Sequence, residues 1–376
     1  MKTPLKIALV TLGGLPVVAC AQVPDLVAAF DAGGRAMGMG GVTYITGSDT
    51  LSGYYNPAGL GFITRATLGL TIRNLPESTT VVTGDIGPTG QQRLNTEGEK
   101  GPTGLSHAGL AFPLQGRNGG TNGTIAVTLT KGGVIRDSRV AGPGLVEGGL
   151  GAGAYNQLLK INTDFVNVSY GRMDGEGTFN WGFGLVYAMN RQSNFRSAPS
   201  GVTNFDETAN GLGFQAGLLL SPKSSHNTSF GVSFRSPIKL RGGNNTLIYP
   251  TIPGRIAAGL AFRQDGLRGG RDYAVYGVEL QHFFGGSNSQ YVDRQNQSVL
   301  GVGVEYNYAS GGSRIPVRLG YSFAQAGGDF FGSRNSLTFG LGYRPSSNNW
   351  ALDLNWGRPQ GGGSDLSLNL TYKFGK

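Results

Sequence analysis

From residue 66 onward, apolar and polar residues alternate with a period of two, the mark of strands with one face apolar. Leu366, Leu368, Leu370, Tyr372 and Phe374 alternate with Asp365, Ser367, Asn369, Thr371 and Lys373. Trp350, Leu352, Leu354 and Trp356 do the same against Ala351, Asp353 and Asn355. About fourteen such segments are expected, each close to the length of a transmembrane strand. They run over 65–74, 104–114, 122–131, 160–172, 178–191, 208–220, 226–238, 252–263, 271–284, 297–309, 313–323, 333–344, 348–357 and 364–375.

The connections carry a second signal. Odd ones are about 29, 28, 16, 13, 12, 9 and 6 residues long, and even ones about 7, 5, 5, 7, 3 and 3. Alternation of long and short connections fits an outer-membrane barrel with long loops outside and short turns in the periplasm. Unpaired backbone groups are too costly in hydrocarbon, so such a sheet has to close on itself. The expected fold class is therefore all-β, a transmembrane antiparallel β-barrel over residues 65–376. Its apolar face meets lipid. Its other face lines the lumen, with Arg73, Arg235, Arg255, Arg263, Glu279, Glu305, Arg318, Arg344, Asp353 and Lys373 on it. These charges read either as a solvated, mutually paired wall or as groups specific to a cargo. Inward glycines such as Gly301, Gly303, Gly340 and Gly342 leave room or bend the wall.

Residues 22–64 do not alternate and precede the first strand. Within them SGYYNPAGLG offers Asn56 as a helix N-cap and Pro57 as a first helical residue, with Gly59 and Gly61 ending the turn. A barrel of this strand number leaves a lumen that side chains alone cannot fill. A compact hatch entering from the periplasmic side would close it; a periplasmic tail without a gating role is the plainer alternative. Ahead of it, Lys2, Lys6, the apolar run IALVTLGGLPVV and Ala19-Cys20-Ala21 read as an export signal over residues 1–21. Val17-Val18-Ala19-Cys20 also resembles a lipobox, which would instead make Cys20 a lipid-bearing first residue. Cys20 is the one cysteine, so the exported chain has no disulfide.

The run DAGGRAMGMGG followed by NPAG resembles the N-terminal signature of the FadL-type family of outer-membrane transport channels. IPGRIAAGLAFR, IPVRLGYSF and NSLTFGLGYR resemble that family's C-terminal strands. The resemblance implies a fourteen-stranded barrel with an N-terminal hatch that carries long-chain fatty acids or other hydrophobic small molecules inward. It places Arg35, Gly38, Gly40, Gly41, Asn56, Pro57 and Ala58 in the hatch. The signature is shared with PorV-like barrels, which serve protein secretion, and a structural barrel or general porin is a further alternative. The long loop GDIGPTGQQRLNTEGEKGPTG matches neither family.

Composition adds exclusions. Lysine and arginine exceed acids by 31 − 22 = +9, but the cations are scattered singly, so no nucleic-acid partner is expected. Mean hydropathy is −0.14 and no stretch approaches a membrane-spanning helix. Ser106 adjoins His107, yet strand neighbours face opposite ways, so no nucleophile–base pair is expected there. His226 falls at a turn and His282 near an aromatic belt. EGGLGAGAYN follows no strand–helix unit and is not a phosphate loop. The expected protein is thus no enzyme, needs no cofactor or metal, and has outer-membrane lipids and a hydrophobic cargo as partners. Both termini are expected in the periplasm, and oligomeric state is not legible.

Overall fold

The computed structural model describes residues 31–44, 49–74, 77–83, 94–95, 103–116, 120–141, 155–198, 201–222, 227–242, 247, 250–286, 296–325, 333–359 and 364–375. Residues 1–21 and Cys20, His226, and most of the two long glycine-rich loops lie outside them.

Fourteen antiparallel strands close into a barrel. They are β1 (Thr67–Asn74), β2 (Thr103–Gln115), β3 (Thr121–Ala141), β4 (Tyr155–Met173), β5 (Phe179–Ala198), β6 (Gly201–Leu220) and β7 (Thr228–Arg235). The second half comprises β8 (Gly254–Gly266), β9 (Asp272–Phe284), β10 (Gln297–Ser310), β11 (Ser313–Ala324), β12 (Arg334–Tyr343), β13 (Trp350–Pro359) and β14 (Asp365–Lys373). Closure is made by β1 with β14, running from Thr67↔Lys373 to Arg73↔Ser367. The ring has no free first or last strand, which is what hydrocarbon demands, and its shortest seam is β6 with β7, paired from Gln215↔Arg235 to Leu220↔Phe230.

The alternation sorts the two faces. Leu185, Phe214 and Tyr187 are 58%, 54% and 40% exposed on the outside, while their neighbours Val186, Gln215 and Ala188 are buried. Apolar side chains of this kind circle the whole barrel, an area far beyond what a water-soluble surface carries. The barrel spans a membrane. Near the short-turn end an aromatic girdle stands at the belt's edge: Tyr170, Trp181 and Phe183 together, and Tyr343 5.5 Å from Trp350.

Two departures from the expected strands have physical causes. β3 to β6 run far past the belt, so the connection expected over 192–207 shrinks to 199–200. Their outer parts carry Lys131, Lys160, Arg191 and Asp206 outward, with Arg191 Nε 2.9 Å from Asp206 Oδ1. Beyond lipid, pairing continues without the apolar face that marks a strand in the sequence. β7 is shorter than expected because Pro237, which has no N–H, ends its ladder.

Candidate functional site

The described N-terminal residues lie inside the barrel against its inner face. Asp31 sits beside Arg73 and Asp365, at the ends of β1 and β14 away from the short turns: Arg73 Nη2 is 3.2 Å from Asp365 Oδ2, and Arg73 donates to the Asp31 carbonyl. The Gly34 N–H reaches Ser367 Oγ at 3.0 Å, and Ser106 Oγ donates to the Ala32 carbonyl at 3.0 Å. The chain then crosses the lumen and leaves at the short-turn end, where Arg65 bonds Asn349 and the Asn348 carbonyl.

A short helix, α1 (Arg35–Gly38), lies over β10 to β13. Arg35 grips Glu305 with two bonds of 2.7 Å, Nε to Oε2 and Nη2 to Oε1. Glu305 also accepts from Arg318 Nε at 2.6 Å and Asn307 Nδ2 at 2.8 Å. Arg318 continues to Asp353 at 2.8 Å, and Asp353 takes both terminal nitrogens of Arg344 at 3.1 Å. Arg35, Glu305, Arg318, Asp353 and Arg344 therefore form one chain of alternating charge. Glu279 accepts the Thr43 and Tyr44 N–H groups and the Thr43 hydroxyl.

The glycines explain how the backbone approaches so closely. A Cβ added at Gly40 would stand 2.5 Å from the Val302 carbonyl oxygen, and one at Gly303 2.5 Å from that of Met39. Gly38 lies over Asn355 and Arg318, and Gly231 and Gly259 receive the Tyr44 ring. Gly41 adopts a φ of 86° with nothing against its Cβ position, so its role is the left-handed turn alone.

Residues 49–63 form the second half of the segment. A helical turn, α2 (Ser52–Tyr55), is followed by a 3-10 turn over Pro57–Phe62. Asn56 accepts the Ala58 N–H at 3.1 Å and donates to the Val232 carbonyl at 3.3 Å, so it caps the turn and ties it to β7. Pro57 lies against Gly171 and Gly182, and Asn56 against Gly217, on three neighbouring strands. Ala58 is fully buried. Asp49, beside Leu51 N–H at 3.0 Å, is buried, and this burial above all, with Asp353 nearby, pushes its carboxyl from 3.8 up to about 7.

Two lumen arginines face this half. Arg235 and Arg255 stand directly opposite one another on β7 and β8. Arg255 donates to the Tyr55 carbonyl and to Ser233, and its guanidinium lies 5.7 Å from the Tyr55 ring; Arg235 lies 5.0 Å over Phe165. Around them Tyr54, Tyr55, Phe165, Ile238 and Phe283 make a buried apolar cluster within the lumen. Arg263 instead stands half exposed at the short-turn rim, bonded to Asp265, because β8 continues past the belt to Gly266. Lys373 is half-buried near the same end.

Ser106 and His107 both face inward, contrary to simple alternation, because the register slips between Thr71 and Ile72 and a bulge holds the extra residue. They still do not pair: His107 contacts Thr50 and Thr130 hydroxyls at 3.0 Å, and Ser106 donates to carbonyls. His282 faces outward, stacked 6.3 Å from Phe284. Among the described residues no group of acidic, histidine or cysteine side chains could hold a metal.

No family model matches the chain, and no curated protein matches it. Solved structures do. A FadL homologue of Pseudomonas aeruginosa aligns with a TM-score of 0.58 at 15% identity, over 93% of this chain and 98% of that one. The Ralstonia pickettii toluene transporter TbuX gives 0.54 at 14% identity, over 90% and 97%. The CymD monoaromatic hydrocarbon channel gives 0.53 at 12% identity, over 91% and 97%. The chain has the FadL-like fold. Within that fold, sequence reasoning missed Asp31, Thr43, Tyr44, Thr50, Tyr54 and Tyr55. The available signal was the regular inward glycine on strand after strand, which marks where another backbone approaches.

Proposed function

We propose that the chain is an outer-membrane channel for hydrophobic small molecules carrying an anionic head, long-chain fatty acids among them. Residues 22–64 act as its hatch, following an export signal over 1–21; the C-terminus lies in the periplasm, whereas the periplasmic N-terminus expected from the sequence does not fit Asp31, which sits at the end of the lumen away from the short turns. The lipids of the outer membrane surround the apolar belt. The observation that carries the reading is the pair Arg235 and Arg255, set side by side at the edge of an apolar lumen cluster. Like charges directly opposite one another are unfavourable, more so away from water. The lumen carboxylate that feels Arg255, Glu279, is turned to the Thr43 and Tyr44 N–H groups, and the Arg255 Nε has no hydrogen-bond partner among the described residues. A carboxylate between the two guanidinium groups would relieve both, while its tail would lie among Tyr54, Phe165 and Phe283. The neighbours of like fold named for toluene and monoaromatic hydrocarbons support passage of apolar molecules; the arginine pair adds the charged head.

The test compares binding of dodecanoate and of toluene to the detergent-solubilised barrel, with and without Arg235→Gln and Arg255→Gln. A charge-assisted hydrogen bond contributes about 1.5–3 kcal/mol, so each substitution should weaken dodecanoate by about tenfold or more and leave toluene unaffected. Equal loss for both probes, or none for dodecanoate, removes the anionic head from the reading.

A further inference from the structure

The described residues of the connection between β7 and β8 turn into the barrel. The Ser236 N–H still reaches the Phe214 carbonyl at 2.9 Å, and then Pro237 breaks the ladder and the chain turns into the lumen. Ile238 and Lys239 pair with Ile252 and Thr251, and the Leu240 N–H reaches the Pro250 carbonyl at 2.8 Å, which makes a small inturned hairpin. Ile238 lies over the inward-facing Gly211 and Gly213 of β6; a Cβ added at Gly213 would stand 2.7 Å from its Cγ1. Ile238, Leu240 and Ile252 are buried in the same cluster as Tyr54, Tyr55, Phe165 and Phe283. The hairpin's return arm passes Arg235, whose Nη2 lies 3.4 Å from the Pro253 carbonyl.

We propose that this hairpin is a built-in occupant of the cargo site, its three aliphatic side chains filling the volume that the tail of an amphiphilic carboxylate takes. The inference rests on the function proposed above and adds a competition to it. Three features make the hairpin displaceable where the wall is not. Its ladder is only two residue pairs long. Among the described residues its hydrogen bonds to the wall beyond Pro237 are the bridge of Asn210 with Arg241, at 2.7 and 2.9 Å, and the 3.4 Å bond from Arg235 to the Pro253 carbonyl. The surface beneath it is glycine, so its departure leaves a trough in β6 while the strand's pairing with β5 stays complete. A polar, water-filled lumen would gain nothing from such a hairpin. A lumen holding an apolar site does, because an empty apolar site facing water is unfavourable, and an aliphatic stopper keeps it dry until cargo arrives.

Competition sets the apparent affinity: it equals the intrinsic one reduced by the fraction of time that the hairpin is out. Weakening the hairpin with Ile238→Ser and Ile252→Ser should therefore tighten dodecanoate binding on the order of tenfold, with the heat-modifiable gel shift of the barrel retained. Unchanged or weaker binding in a barrel that keeps its gel shift overturns the proposal, since the side chains would then build the site instead of filling it. The converse variant, Gly211→Cys with Ile238→Cys, ties the hairpin to the wall when oxidised. Binding should be lost and should return on reduction; equal binding in both states also overturns the proposal. A third measurement reads the position of the hairpin directly. The thiol of Ile238→Cys in the folded barrel should react slowly with a water-soluble maleimide, and faster with saturating dodecanoate. Should dodecanoate bind neither the unaltered protein nor any variant, the proposed function falls, and the maleimide alone decides the hairpin. Reaction then supports a hairpin that leaves the cluster, and absence of reaction refutes it.

Discussion

Glu305→Gln is the substitution that most directly tests whether the charge chain holds the N-terminal segment in place. Glu305 is 4% exposed at its side chain and carries two arginines, Arg35 from the segment and Arg318 from β11. Neutralising it takes the charged partner from both of these Arg35 bonds, while Arg318 keeps Asp353. Removing one partner of a buried pair typically costs about 3–5 kcal/mol, and here nearly all of that falls on the contact between segment and wall. The reverse change, Arg35→Gln, is milder. Glu305 still accepts from Arg318 and Asn307, so what is lost is the bidentate pair alone, about 1.5–3 kcal/mol. Both substitutions should raise ion conductance in planar bilayers, Glu305→Gln more than Arg35→Gln. The double variant should leak by less than the two single effects added together, since both substitutions remove the same pair of bonds. The gel shift of the barrel should persist in all three, because the ladders of β10 and β11 are untouched. Conductance unchanged by Glu305→Gln, or Arg35→Gln exceeding it, would refute the reasoning.

The close approach at the other motif glycine predicts that Gly40→Val unseats the segment: the new side chain meets the Val302 carbonyl and the β11 backbone, an overpacking of about 1–3 kcal/mol, read as conductance with the gel shift retained. Asn56→Ala removes the cap on Ala58 N–H and should cost about 1 kcal/mol, a smaller conductance rise than either glycine or glutamate substitution. Asp49 predicts a pH dependence. Its pKa is raised by burial, so the seated segment holds the proton more tightly than the unseated one; seating is firmest below the ordinary value of 3.8 and weakens as pH climbs through about 7. Conductance should rise over that window and flatten in Asp49→Asn; a rise on acidification instead would contradict the sign.

The barrel was legible because lipid enforces a rule on every strand within the belt: Leu337, Phe339 and Leu341 must face out, so Thr338 and Gly340 face in. Legibility ended where that rule stopped. β3 to β6 continue beyond the belt into water, where Lys160 and Arg191 serve as well outside as Leu would within it, and no period shows in the sequence. The bulge at Ser106 is likewise silent, since one inserted residue changes which side chain faces the lumen without changing composition. The candidate site was half visible. Arg35 and Asn56 announce themselves by motif and by capping chemistry, but Asp31, Tyr44 and Tyr54 acquire their meaning only from the strands they touch. Arg73 with Asp31 is such a pair, brought together across 42 positions of chain.

One requirement joins the lumen charges and the lumen glycines, which the sequence presents as separate puzzles. A segment that crosses a barrel without strands of its own has many backbone groups to satisfy, and buried donors and acceptors need partners. Glycine lets its backbone come within contact of the wall at Gly303, Gly171 and Gly182, while Glu279 and Arg255 reach in to bond the N–H groups of Thr43 and Tyr44 and the carbonyl of Tyr55. Either feature alone would fail: glycine without the charged partners leaves backbone groups unpaired, and charged partners without glycine hold the segment too far off to meet them. The same pairing of features is thin over β6 at Gly211 and Gly213, where the inturned hairpin brings Ile238 to the glycines and, among the described residues, the charged bond from the wall is that of Arg235 to the Pro253 carbonyl at 3.4 Å. That contrast is why the segment reads as a fixture held by polar bonds and the hairpin as an apolar piece that cargo can replace.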